Sequence, residues 1–330
     1  MKIFLLVAAL ALGLPIAAAA ATLAPRVTEV IVDEDGAVDD LFALSLLMKS
    51  DAVRVRAVTV CPADSYLEPA TRATQLILDV LGGRGVSIGK GRFEGVNPFP
   101  AEWRNDHGQL LQVALLKGRR PSGANPIATE DAPHHLVRLL SGSKRYTIVE
   151  TGPLTNLADA LELKPSIRSH IRRIYVMGGA VGVRGNVDQK GADGTAEWNL
   201  FNNPAAAAAV FQAGVPITLV PLDATNRVPM TPRFVAQLAA RRATASQLAA
   251  QIMRPAVTKY AGEYYFWDAL TAAVLIDPGV ATVRSMKLKV LTTGSSQGRT
   301  VQDPHGAPVE VAVDADQAKV ERLFLEVLGR

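Results

Sequence analysis

From Val27 onward, short apolar runs rich in β-branched residues alternate with longer stretches whose apolar positions recur every three or four residues. The first pattern suits a strand buried on both faces, the second a helix that lays one stripe on a core. Residues 27–32, 53–60, 145–150, 174–176 and 217–220 are predicted strands. Residues 38–48 and 67–81 are predicted helices, 231–262 a pair of Ala/Arg-rich helices, and 316–328 a final one. This alternation predicts an α/β fold with an open, mostly parallel central sheet flanked by helices. Apolar runs at 287–291 and 309–313 predict a hairpin before the last helix. Residues 91–126 and 182–198 are rich in Gly, Pro and Asn and too long for simple connections, so they are expected to shape a site. Sheets of this class bind ligands beyond the carboxyl ends of their strands, so charged residues just after strands carry the most weight.

The first 21 residues, MKIFLLVAALALGLPIAAAAA, break that pattern. One Lys, a short apolar run and then small residues predict a secretory signal peptide that is cleaved, leaving 22–330 as a single domain with no membrane attachment. The leader resembles bacterial ones, so the expected location is the periplasm. Over the 330 residues, 35 Lys plus Arg stand against 31 Asp plus Glu, a net charge of +4, with no basic run longer than two. That is too dilute for a nucleic-acid footprint. The single Cys61 excludes an internal disulfide and a Cys-based zinc cluster, and it reads as a small buried side chain rather than a nucleophile.

Local charge is more informative. Directly after the first predicted strand come Asp33, Glu34, Asp35, Asp39 and Asp40, lying between a buried strand and an apolar helix start. Asp39 and Asp40 fall in the first helical turn, where the dipole favours anions, but one such residue would suffice for capping. So many carboxylates repel one another, and a hard divalent cation with oxygen ligands is the usual remedy. Taken alone, the run resembles two families. One is the haloacid-dehalogenase-like phosphatases, with Asp33 as nucleophile and Asp35 as acid. The other is the inosine-uridine-preferring nucleoside hydrolases, whose chains open with Asp-x-Asp-x-x-x-Asp-Asp.

Later segments favour the second family. Glu150-Thr151-Gly152-Pro153-Leu154-Thr155-Asn156, then Met177-Gly178-Gly179, Gly185-Asn186-Val187, Ala196-Glu197-Trp198-Asn199 and finally Trp267-Asp268-Ala269 resemble its motifs in order. No Gly-Asp-x-x-x-Asp motif of the phosphatase type is found. The resemblance spans essentially the whole chain after the leader and implies the Rossmann-like fold of that family. It implies hydrolysis of the N-glycosidic bond of ribonucleosides, with Ca²⁺ held by Asp35, Asp40, the main-chain carbonyl of Thr151 and Asp268. Asp35 is then the general base for the water that the ion orients. Asp39, Met177, Asn186, Glu197 and Asn199 match the ribose-binding positions, and Asp33 is expected to orient the ligands from behind. Because Thr151 is to act through its backbone, Thr151→Ala should be milder than Asp268→Ala.

The base end departs from the family pattern. Many members carry a His just before the late metal-binding Asp, able to protonate the departing base; here that position is Trp267, whose indole is only a neutral donor. Phe99 and Trp103 lie four apart in the 91–126 loop and would share one face of a helix. Together with Trp267 they resemble the purine-specific branch, in which indole stacking would stabilise a protonated purine. Asp64 aligns with a base-contacting position. His107 is expected near the pocket, whereas His134, His135, His170 and His305 fall in helices or loops outside the motifs, most of them at the surface. Residues 231–265, with Tyr264 and Tyr265, are expected to form a mobile lid. Family resemblance implies a homodimer or homotetramer. The rival reading from another class is an exported nucleoside-binding protein that captures without hydrolysis.

Overall fold

The structure, a computed structural model, describes residues 27–92, 95–104, 110–260 and 262–330. The expected signal peptide and His107 lie outside the described residues. Ten strands form one sheet in the order β4-β3-β2-β1-β5-β6-β7-β10-β8-β9. They are β1 (Thr28–Glu34), β2 (Val53–Val60), β3 (Ser87–Lys90), β4 (Ile127–Asp131), β5 (Tyr146–Glu150), β6 (Ile171–Met177), β7 (Ile217–Val220), β8 (Ala281–Val290), β9 (Thr300–Gln302) and β10 (Ala307–Ala315). From β4 to β10 the neighbours run parallel; β8 is antiparallel to both β10 and β9. The expected open, mostly parallel sheet is therefore present, whereas the expected terminal hairpin takes a different form. Its two runs do pair antiparallel, but the connection between them adds β9 on the far side of β8.

Helices cover both faces. On one side lie α1 (Val38–Lys49), α2 (Leu67–Val80), α9 (Pro232–Ala239), α10 (Thr244–Lys259), α11 (Trp267–Ile276) and α12 (Gln317–Leu328), sharing one apolar cluster. Phe42 of α1 stacks on Phe324 of α12 at 4.6 Å between ring centroids and meets Phe234 and Phe266 edge-on, tying four segments together. On the other side α4 (Ala132–Leu140), α5 (Thr155–Leu163) and α7 (Pro204–Gln212) bury Leu136, Leu157 and Val210 against Ile31, Ile148 and Ile174 of the sheet. Short α-helices among the described residues include α3 (Ala101–Arg104), α6 (Trp198–Asn202) and α8 (Leu222–Thr225).

Strand order explains where a site forms. From β1 the chain builds outward through β2, β3 and β4, then returns to place β5 on the other side of β1. The crevice beyond the carboxyl ends of β1 and β5 is thus a topological switch point, where open α/β sheets bind ligands. Two glycines let backbones close over it. Gly36 adopts φ +77° between β1 and α1, and a Cβ there would stand 2.4 Å from that of Ala70. A Cβ on Gly152, just past β5, would come within 2.8 Å of the Asp35 Cβ.

Candidate active site

Alternation along β1 sends Asp33 and Glu34 to opposite faces of the sheet, after which the chain turns at Gly36 and enters α1. The N–H of Ala37 donates to Asp40 Oδ2 at 2.8 Å, so Asp40 satisfies the start of α1 with one oxygen. The other oxygen accepts from the Thr151 hydroxyl, just past β5. Asp39, next along α1, accepts from the Tyr264 hydroxyl at 3.2 Å. α11 packs on α1 and contributes Asp268 from its own first turn. Oxygens of Asp39, Asp40 and Asp268 lie within 4.8 Å of one another, close enough to hold a metal ion, and all three carboxyls are buried. Asp35 stands outside that trio but beside Asp40, and its Oδ2 accepts from the Asp64 N–H at 3.4 Å.

Burial raises the pKa of Asp35, Asp39, Asp40 and Asp268 above the usual carboxylate range, and for Asp35, Asp40 and Asp268 neighbouring carboxylates push it further. Among the described residues no Lys, Arg or His lines this cavity to compensate. Asp33 sits below the cavity rather than in it. It accepts from Thr59 Oγ1 at 2.7 Å and Asn156 Nδ2 at 2.8 Å, while burial lifts its pKa to about 6. That placement suits orientation of the β1 end, not contact with a substrate.

The cavity, about 430 Å³, is lined by Asp35, Asp39, Asp64, Phe99, Trp103, Thr151, Met177, Asn186, Glu197, Asn199, Trp267 and Asp268, so the residues singled out in the sequence converge except for the more deeply set Asp33 and Asp40. Glu197 combines two tasks. Its carboxylate accepts from the N–H groups of Asn199 and Leu200, capping α6, and from Gly179 at 2.9 Å, which ties it to the loop after β6. Asn199 Nδ2 donates to the Thr151 carbonyl at 3.0 Å and lies 3.4 Å from the Met177 sulfur. Asn186 accepts from the Trp198 N–H at 3.1 Å.

Aromatic residues form two groups lining the cavity. Phe99 stacks on Trp198 at 5.0 Å between ring centroids, with Trp103 edge-on to Trp198 at 5.2 Å. Trp267 meets Tyr264 at 4.9 Å and Tyr265 at 5.7 Å. Phe99 precedes α3 rather than sharing its face with Trp103; their rings still approach to 6.3 Å.

This geometry matches known proteins along nearly the whole chain. The sequence model of the inosine-uridine preferring nucleoside hydrolases matches residues 30–322. The chain belongs to that family. It is 30% identical to the pyrimidine-specific ribonucleoside hydrolase RihA of Shewanella woodyi, an alignment covering 91% of this chain and 96% of the relative. The non-specific ribonucleoside hydrolase RihC of Shigella boydii is 28% identical, covering 91% and 98%. Among solved structures, an inosine-uridine preferring nucleoside hydrolase from Bacillus anthracis superposes with a TM-score of 0.85 at 36% identity, covering 92% of this chain and 99% of that one. A purine-preferring ribonucleoside hydrolase from Gardnerella vaginalis gives 0.78 at 25% identity, covering 92% and 98%. The protein is thus a nucleoside hydrolase, and the phosphatase reading of Asp33 and Asp35 falls away.

Several residues of this nucleoside hydrolase site escaped the sequence reading. Trp198 stands in the aromatic wall, and Tyr260 and Glu263 line the cavity from the segment before α11, beside Tyr264, which was expected only as part of a lid. Two buried acids flank the strand ends: Glu34 accepts from Thr74 Oγ1, and Glu150 lies opposite Asp33 across the β1–β5 pair. Burial raises both well above the usual carboxylate range. A signal for both was present, since each adjoins a motif residue on a fully buried strand. The loop after β6 has distant anchors: the Thr300 hydroxyl of β9 accepts from the Ala180 N–H at 3.1 Å and donates to its carbonyl at 2.8 Å, and Asp223 of α8 accepts from the N–H groups of Val181 and Gly182. No spacing in the sequence links these to the loop. Thr151 also differs from expectation: its hydroxyl holds Asp40, so it acts through its side chain as well as its backbone.

Proposed function

We propose that this chain is a calcium-dependent hydrolase of purine ribonucleosides, releasing ribose and free base. The observation that carries the reading is the convergence of buried carboxylates from α1 and α11 at the mouth of β1 and β5, next to Asn186, Glu197 and Asn199 and between aromatic walls. The donors are all hard oxygens, the set is buried, and repulsion among its carboxylates is relieved by a divalent cation, so the residues fit calcium. Asp35, Asp40, Asp268 and the Thr151 carbonyl would hold it, with Asp39 at the boundary between ion and sugar. When bound, the ion lowers the pKa of a water and orients the ribose diol.

The protein's own groups do the rest. Asp35 takes the proton of the attacking water. Asp39, Asn186, Glu197 and Asn199 hold the ribose hydroxyls, and Met177 lies against the ring, stabilising an oxocarbenium-like sugar as the bond to the base stretches. Trp267 and Trp103 stack on the base, which supports purines over the smaller pyrimidines. Relatives divide on this point, one being named pyrimidine-specific and another purine-preferring. The apolar leader supports export to the periplasm, and the family resemblance supports a homodimer or homotetramer.

The test is direct. Purified chain with inosine and calcium is expected to release ribose in a reducing-sugar assay, faster than with uridine. Tight binding of inosine with no ribose released would favour the capture-only alternative and overturn the enzymatic reading of this site.

A further inference from the structure

β2, β1, β5 and β6 are consecutive in the sheet and parallel, so their amino ends share one side of the molecule, opposite the candidate active site. That side is basic. Arg54 and Arg56 lie on β2, Lys144 and Arg145 just before β5, and Arg172 and Arg173 on β6; Arg54, Lys144, Arg145 and Arg172 are exposed. Among the described residues, the carboxylates at this end of the four strands are Glu29, ion-paired to Arg56, and Asp51, taken by Arg330. Arg56, Lys144 and Arg54 together hold Glu29 below the usual carboxylate range. Arg145 donates to the Ile171 carbonyl at 3.2 Å and Arg172 to the Arg145 carbonyl at 3.3 Å, bonds that order two guanidinium groups without neutralising them. The opposite ends of the same strands carry Asp33, Glu34, Asp35, Asp64 and Glu150 and no Lys or Arg. The sequence shows only three separate basic pairs; strand order assembles them into one face.

We propose that this amino end of the sheet is a docking face for an anionic lipid bilayer, on which the chain sits with its active site turned away. The contact is peripheral and electrostatic, since no helix among the described residues is long and apolar enough to cross a membrane. Neighbouring strands lie about 4.8 Å apart, so the charges form a row about 15 Å wide, which suits a plane of headgroups better than one convergent phosphate. A second copy of the chain is disfavoured at the same face, because like charges would meet. The point where the chain enters also favours lipid. β1 begins beside Val27, in the middle of the row, and the 26 residues before it in the sequence include the apolar leader and Arg26. The acidic cluster does not cancel the attraction. It lies one strand length away, about 20 Å, whereas charges are screened over about 8 Å at physiological ionic strength. The proposal goes beyond the hydrolase reading and does not depend on it.

Co-sedimentation with vesicles tests the face. The chain beginning at Thr22, which retains every strand and helix described above, is mixed with vesicles of phosphatidylcholine alone or of phosphatidylcholine with phosphatidylglycerol. Anionic vesicles are expected to take it up at least about tenfold more than neutral ones at about 0.1 M salt, and to release it at about 0.5 M. The triple variant Lys144→Gln, Arg145→Gln, Arg172→Gln is expected to weaken that binding by about thirtyfold or more, with circular dichroism unchanged. Arg120→Gln, Arg254→Gln, Arg284→Gln removes the same charge from exposed positions outside the face and should cost about threefold or less. Bound chain is expected to keep its free-solution rate on p-nitrophenyl riboside. Equal uptake by both vesicle types, equal losses in the two triple variants, or hydrolysis that stops on binding overturns the proposal. Tighter binding to duplex DNA than to anionic vesicles at the same salt overturns it as well, by giving the face to nucleic acid. Absence of hydrolysis both free and bound counts against the hydrolase reading alone, and sedimentation still decides the docking face.

Discussion

Two networks of ionisable groups, one buried at the mouth of β1 and β5 and one half-exposed along the β3–β4 edge, obey opposite rules. At the edge, His135 is wholly buried, yet its Nε2 meets Ser87 Oγ at 2.9 Å and its Nδ1 meets Glu130 at 2.9 Å, with Arg138 bonded to Glu130 at 2.7 Å. These partners hold Glu130 well below the usual carboxylate range, while burial lowers His135. Every charge there has an opposite or neutral partner. At the mouth, Asp35, Asp39, Asp40 and Asp268 face chiefly one another and are all raised. A network that satisfies itself contributes to stability; one that repels itself is kept for what it binds. The contrast separates a structural cluster from a reactive one without reference to any relative.

The sharpest way to break this contrast is to remove one member of the self-repelling set. Asp35→Asn is expected to lower kcat on inosine by about a thousandfold, with circular dichroism unchanged, because a general base and charge stabilisation are lost together. Asp268→Ala should match it and weaken calcium binding measured by calorimetry. Thr151→Ala, which loses only the hydroxyl on Asp40, should fall between wild type and Asp268→Ala.

A second test reaches the base end. Trp267→Ala is expected to lower kcat on inosine by about tens-fold while p-nitrophenyl riboside, whose leaving group needs little activation, changes far less. Equal losses on both substrates would refute a role in leaving-group stabilisation.

Chelation addresses stability. Acids whose folded pKa is raised bind protons in the native state, so the metal-free protein loses stability as pH climbs from about 4 through the folded values, Asp33 at about 6 among them. Calcium, bound as proposed above, would compete with those protons. Removing it at pH 7.5 is expected to lower Tm by about 5 °C, and by much less at pH 5. A shift independent of pH would break the link between the raised acids and the ion.

Smaller effects sharpen the other side. Thr300→Ala frees the Ala180 backbone and should raise KM about fivefold with kcat held, the size of one lost hydrogen bond. His135→Ala should cost about 2 kcal/mol of stability and leave kcat/KM within about twofold. A large catalytic loss there would mean that the edge network reaches the site.

Legibility from sequence differed by element. β2 at 53–60 and β7 at 217–220 were bounded correctly, because buried β-branched runs end abruptly at turn residues. β3, β4 and β9, of four, five and three residues, were not foreseen, since so short a run carries no period. Most histidines were expected at the surface; His135 instead lies on the buried face of α4, where a polar side chain is tolerated only because β3 and β4 bring it partners. Thr300 and Asp223 showed no local signal at all, as their partners lie 120 and about 42 residues away.

By itself the sequence determined the strand–helix alternation and the acidic run that follows β1. Both are encoded locally, in hydrophobic period and in charge density. Tertiary structure alone decided which carboxylates face one another, that Tyr264 holds Asp39, and that two aromatic groups flank one cavity. Those facts depend on parallel crossovers that bring α1, β5, β6 and α11 to the same end of the sheet, and a crossover leaves no mark in the residues it brings together.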